Sequence, residues 1–185
     1  MTGWAEGMSG WRPEFGVAEE LLPTRWEVLA GLVGRSVVGW TIWDQTQERW
    51  YGVGPLVLVA DGPAGRVQVE IGWQRWDDLS ITVGTVDLTI PPEVGGRAAQ
   101  WRAAEPAAVA AIEGRAVTGF AAVEVPYFDG ETDLRAGLPM DQVAGWVLNG
   151  LWIEFGTGGL YVHNGIDENG YSSVVETPSR VRRLG

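Results

Sequence analysis

Two stretches of the chain share one order of apolar and polar positions. In LVLVADGPAGRVQVEIG (56–72) and LWIEFGTGGLYVHNGID (151–167), an apolar run enters a Gly-rich turn and leaves as a second alternating run. Period-two alternation places one set of side chains on one face of a strand. Glycine supplies the positive φ that a tight turn needs, so each stretch predicts a β-hairpin. Upstream, GRSVVGW (34–40) and GRAVTGF (114–120) share a Gly-Arg-x-Val-x-Gly-aromatic frame, offset by 80 residues. Leu29 and Leu32 precede the first frame as Val109 and Ile112 precede the second. Each is an i, i+3 apolar pair on a short helix that ends at Gly34 or Gly114. Pro106 stands near the start of the second helix, where a missing N–H costs little. Downstream, WDDLSITV (76–83) and IDENGYSSVV (166–175) each give an acidic turn followed by a strand.

The chain therefore reads as two pseudo-repeated halves, 21–90 and 104–175. Each runs helix, strand, hairpin, acidic turn, strand. The expected fold is α+β, mainly antiparallel β, one globular domain with helices packed on the buried face of each sheet. Residues 1–20, with Trp4 and Trp11 seven apart, form either a disordered arm or a strap laying indoles on the body. PPEVGGRAAQ opens a segment, 91–103, that reads as a linker. PYFDGETDLRAGLPMDQ (126–142) is an acidic insertion in the second half, and 176–185 is a basic tail. Trp40 corresponds to Phe120, which suggests a shared core position, while Trp43 falls on the opposite face of its strand.

Composition narrows the chemistry. The 185 residues contain no cysteine, which excludes disulfides, thiolate metal sites and cysteine nucleophiles. All thirteen cations are arginines, a coding bias that suggests a high-GC bacterial genome. The start of the chain lacks the basic and apolar regions of a signal peptide, and no run approaches a membrane span, so a cytoplasmic protein without membrane contact is expected. A net charge of −11 opposes binding to nucleic-acid phosphates. It suits solubility alone, or a basic protein partner.

One histidine without cysteine builds no usual zinc site, so His163 reads as structural. It would also be the only imidazole available to a serine triad, and no serine stands in a nucleophile-elbow pattern. The DENG stretch and Asp129-x-Glu131-x-Asp133 do not fit a calcium loop, since Leu134 stands where the second would need glycine. Casual calcium binding there stays open. Among 24 acids nothing selects a glycosidase pair. No enzyme and no cofactor is expected. Asn164, Asp167, Asn169 and Gly170 read as turn formers.

The eleven tryptophans point to cores and recognition surfaces. Two loops mix aromatics with acids just outside strands: Trp73, Trp76, Asp77 and Asp78 in GWQRWDD, and Tyr127, Phe128, Asp129, Glu131 and Asp133 in EVPYFDGETD. They read either as partner-binding surfaces or as aromatics covering sheet edges.

The hairpin that closes in N-x-x-DENG, with the upstream L-x-G-R-x-V start, resembles uncharacterised small bacterial domains of actinobacterial type. Some of these look like immunity proteins of polymorphic toxin systems. The resemblance implies a non-catalytic module that sequesters a basic protein such as a toxin. The other function class consistent with the residues is a carbohydrate or small-ligand module that uses exposed tryptophan. The oligomeric state is left open by the sequence.

Overall fold

The computed structural model describes residues 11–62, 65–75, 77–128, 140–165 and 168–184. Their alternating runs fold into two antiparallel sheets. The first is nine-stranded, in the order β1 (Gly16–Val17), β6 (Asp78–Val83), β5 (Val67–Gln74), β4 (Leu56–Ala60), β2 (Ser36–Asp44), β8 (Arg97–Ala103) and β7 (Glu93–Val94). Short strands β3 (Arg49–Tyr51) and β9 (Arg115–Ala116) also pair with β2. The second is five-stranded, in the order β13 (Asn169–Ser172), β12 (Gly159–Asn164), β11 (Val143–Glu154), β10 (Gly119–Phe128) and β14 (Arg180–Arg183).

Both predicted hairpins form, as β4–β5 and β11–β12. Their turns use positive φ at Gly65 in the first and at Gly156 and Gly158 in the second. Each hairpin belongs to a four-stranded meander, β2-β4-β5-β6 in one sheet and β10-β11-β12-β13 in the other. A short helix precedes each: α2 (Trp26–Ala30) before β2 and α3 (Ala107–Ala110) before β9 and β10. A further helix, α1 (Ala18–Thr24), carries Pro23 at its end and hands the chain to α2.

The inner faces of both sheets close on one core. Leu29 and Leu32 from the first helical turn region, Val109 and Ile112 from the second, and Ile71, Trp73, Leu151 and Ile153 from the strands are fully buried in it. Burying each such side chain contributes roughly 1.5–3 kcal/mol.

Several segments differ from the sequence reading. Residues 91–103 are not a linker. Most of them form the β7–β8 hairpin, and β8 extends the nine-stranded sheet along β2. Polar and small residues suit this edge, where one ladder face meets solvent. The basic tail contributes β14, which closes the edge of the second sheet against β10. The arm acts as a strap from Trp11 onward. Trp11 packs on Ile42, Val57 and Val59, and its indole lies where a side chain at Gly72 would stand. Trp40 and Phe120 do not share a core position. Trp40 packs on the Trp11 side of the first sheet, whereas Phe120 lies in the inter-sheet core. The reason is a break at Val117–Thr118, where the chain leaves the first sheet after β9 and enters the second as β10. The unbroken β2 keeps its alternation, and the second half does not.

Candidate functional site

The β10–β11 hairpin is longer than the sheet that holds it. β12 pairs with β11 only over Gly150–Glu154, and β14 pairs with β10 only over Ala121–Glu124. Beyond these partners, Val125–Phe128 and Val143–Leu148 continue as a two-stranded ribbon. Register shifts after Val123 and after Tyr127 bend it. Where the ribbon leaves the sheet, the inter-sheet core opens into a cleft of about 650 Å³. Tyr127, Trp146 and Val147 line the ribbon side, and Val17, Glu19 and Asp77 line the other.

The cleft has an apolar floor and an acidic rim. Tyr127 is 50% exposed and Val147 46%, and Val17 is exposed as well. Arg180 stacks on the Trp146 ring at 3.8 Å from its centroid. Arg182 lies 3.8 Å from Glu19 and 3.0 Å from Glu124, which ties β14 to the cleft wall. The backbone carbonyl of Asp77 accepts a hydrogen bond from Ala18 N at 2.8 Å, so its loop is held against α1 while the carboxylate stays exposed.

The structure brings together Asp77 and Tyr127 on a single surface, the one such pair among the described candidates. Asp78 is half-buried, opens β6 and stands 3.8 Å from Arg75. Phe128 is half-buried at the end of β10, paired with Val143. Trp73 requires a correction. It is fully buried in the inter-sheet core and presents nothing to a partner. Its strand position, in register with Leu79 on β6, points it inward with Val69 and Ile71. Trp76, Asp129, Glu131 and Asp133 lie outside the described residues. Val17, Glu19, Trp146 and Val147 were not singled out from the sequence. The adjacent apolar pair Trp146–Val147, which breaks period-two alternation, was the signal available there.

The DENG asparagine does more than form a turn. Asn169 is buried at the start of β13, and its side chain joins the two sheets. Its Oδ1 accepts from Trp73 N at 2.9 Å, while Nδ2 donates to Gly54 O at 2.9 Å and Ile71 O at 3.1 Å. Its backbone N donates to Gly52 O at 2.7 Å. Asn164 also bridges the sheets, donating to the Arg75 carbonyl.

Among the described residues, no group of three His, Asp or Glu side chains is placed to hold a metal, and no helix is long and apolar enough to cross a membrane. No known protein family, curated protein or solved structure matches the chain.

Proposed function

We propose that this chain is a non-enzymatic protein-binding module that seats an apolar side chain of a basic partner in the cleft at the base of the β10–β11 ribbon. The observation that carries the reading is the cleft itself: an apolar floor with exposed Tyr127 and Val147, rimmed by Glu19 and Asp77. Interfaces place their binding energy in aromatic and aliphatic anchors and use surrounding charge for steering and register. The ribbon leads into the acidic stretch that holds Asp129, Glu131 and Asp133, and the chain carries a net charge of −11. Both favour a cationic partner. An immunity-like role, in which that partner is a toxin, is the form of this reading that the sequence resemblance suggests.

Sugar stacking on exposed indoles has less support. Arg102 covers the Trp43 ring at 4.1 Å and Arg180 covers Trp146, so two of the more accessible indoles already hold cations.

The same proposal includes an origin by duplication. Gly34 N donates to Val117 O at 2.8 Å, and Gly114 N donates to Val37 O at 2.9 Å. These two bonds exchange places under the 80-residue offset of the sequence frames. They support two halves that once met as equivalents.

The test is a pull-down from the native host with wild-type, Val147→Asp and Asp77→Arg baits. A stoichiometric basic protein, released by salt and lost from both variants, is the expected result. Retention by both variants would remove the cleft from the interface.

A further inference from the structure

The outer face of the five-stranded sheet holds a second, chemically different site. β13 and β14 are the opposite edges of that sheet, so the chain between them must cross it. The crossing spans four inter-strand steps, ~19 Å at ~4.8 Å each. The eight Cα steps from Ser172 to Arg180 reach ~26–29 Å when extended, so this strap crosses the face in a largely extended form. Beneath it lies a pocket of about 180 Å³ between the strap and β10, β11 and β12. Leu160 and Val162 point into the core, which leaves Tyr161 and His163 on the pocket side.

The floor is aromatic because glycine flanks it. His163 pairs with Gly150 on one side and Gly170 on the other. A side chain at Gly170 would collide with the His163 ring, and one at Gly150 with the Tyr161 ring. The two rings lie over these glycines, 4.8 Å apart and inclined by 32°.

The walls supply hydrogen-bond acceptors and one charge. Glu176 lines the pocket from the strap. Asn149 Nδ2 donates one of its two N–H groups to the Tyr161 hydroxyl at 3.0 Å, and its Oδ1 is an acceptor for a ligand. The Ser179 hydroxyl donates to Glu176 O at 2.6 Å, so toward the pocket it too is an acceptor. Among the described residues, no arginine lines the pocket. Val125 and Val174 add apolar wall.

We propose that the pocket under this strap binds a primary alkylammonium group. An ammonium presents three donors and one compact charge on a slim apolar stem. Here Glu176 is its counter-ion, Asn149 and Ser179 take its protons, the Tyr161 and His163 rings face the cation, and the two valines flank the methylenes. The pocket faces the strap rather than α1, and Val125 is the lining residue it has in common with the cleft. An ammonium has two sources, a free aliphatic amine or a lysine side chain of another protein.

His163 is the chain's single histidine, so its ring Hε1 resonance reports this pocket alone. The experiment titrates the full chain at constant pH with n-butylammonium chloride, n-butanol, 1,4-diaminobutane and Nα-acetyl-lysine methylamide. A saturable Hε1 shift with the ammonium compounds and none with butanol is expected. Glu176→Gln is expected to weaken binding about tenfold or more, as loss of a charge-assisted partner does. Tighter binding of the diamine than of the lysine derivative identifies a free amine as the ligand, and the reverse identifies a partner's lysine. Absence of a saturable shift, an equal shift with butanol, or an unchanged affinity in Glu176→Gln overturns the proposal. The butanol comparison needs no variant, so it stands even if Glu176→Gln disturbs the strap. Asp77→Arg, a cleft residue that does not line this pocket, should leave the titration unchanged, which separates the fate of this site from that of the cleft.

Discussion

The two sheets are built from the same meander yet are covered differently. The nine-stranded sheet is buried on both faces, by the inter-sheet core on one and by Trp11, Val86 and Val94 on the other. The five-stranded sheet is fully covered on its inner face alone. Among the described residues its outer face is crossed by the strap, and its longest hairpin runs on past its neighbours. Polar residues take opposite roles as a result. In the first sheet they are sealed in and satisfy one another. In the second, Asn169 apart, those on the outer face reach open space. Glu70 on β5 is the clearest case of the former. It has no exposed surface, and its carboxylate accepts from Gln68 Nε2 and Thr82 Oγ1 at 2.8 Å each, and from Thr85 N and Thr85 Oγ1 at 3.1 Å each. No cation is bonded to it among the described residues. It closes the loop after β6 rather than offering chemistry to a substrate.

If this division is right, the largest stability loss should come from the sealed side. Glu70→Ala strands several buried donors at once and is expected to cost about 3–5 kcal/mol, read from urea denaturation. Glu70→Gln keeps an acceptor and should cost clearly less. Asn169→Ala breaks the bridge between the sheets. With its bonds to three backbone groups lost, it is expected to cost about 2–4 kcal/mol, again by denaturation. An Asn169→Ala protein of unchanged midpoint would show that the sheets need no polar clamp. Smaller again is the effect of high pH. Tyr171 lies beside Asn169, whose Nδ2 contacts its hydroxyl at 3.2 Å, and burial raises the phenol above its ordinary 10.0. The folded state then holds that proton more tightly than the unfolded chain. Its contribution is complete below pH 10.0 and falls as pH rises beyond it. Tyr171→Phe should flatten the decline in melting temperature above that pH. At the other extreme, Val147→Asp on the open ribbon should move stability by no more than about 0.5 kcal/mol while removing partner binding. A large stability loss there would mean that the cleft is core rather than interface.

The hairpins, their glycine turns and the helix before each meander were legible in the sequence. All three are local: period-two alternation, positive φ and i, i+3 spacing act within a few residues. The apolar residues Val67, Val69 and Ile71 alternate in the same way and form one inward face of β5. Nothing local could announce the other face. Gln68, Glu70 and Gln74 are polar and alternate with that set, yet Glu70 and Gln74 are buried. Trp11, some sixty residues away, and the loop after β6 cover that row. Trp73 was misread for a different reason: it continues the Val69–Ile71 face, but its neighbours Trp76, Asp77 and Asp78 gave it the look of a surface loop.

The candidate sites divide along this line too. Asp77 and Tyr127 carried a recognisable chemistry, aromatics beside acids, and the cleft unites them. That Val17 and Glu19 complete it depends on where α1 docks, and the amine pocket depends on a strap crossing from one sheet edge to the other. What the sequence by itself determined was the class of the fold, its mainly antiparallel strands and their turns, because backbone geometry and side-chain period are short-range. Which second face is covered, which asparagine joins the sheets and where each cleft opens were decided by tertiary structure. Those outcomes come from packing between segments far apart in the chain, and alternation within a strand carries no information about what will lie on top of it.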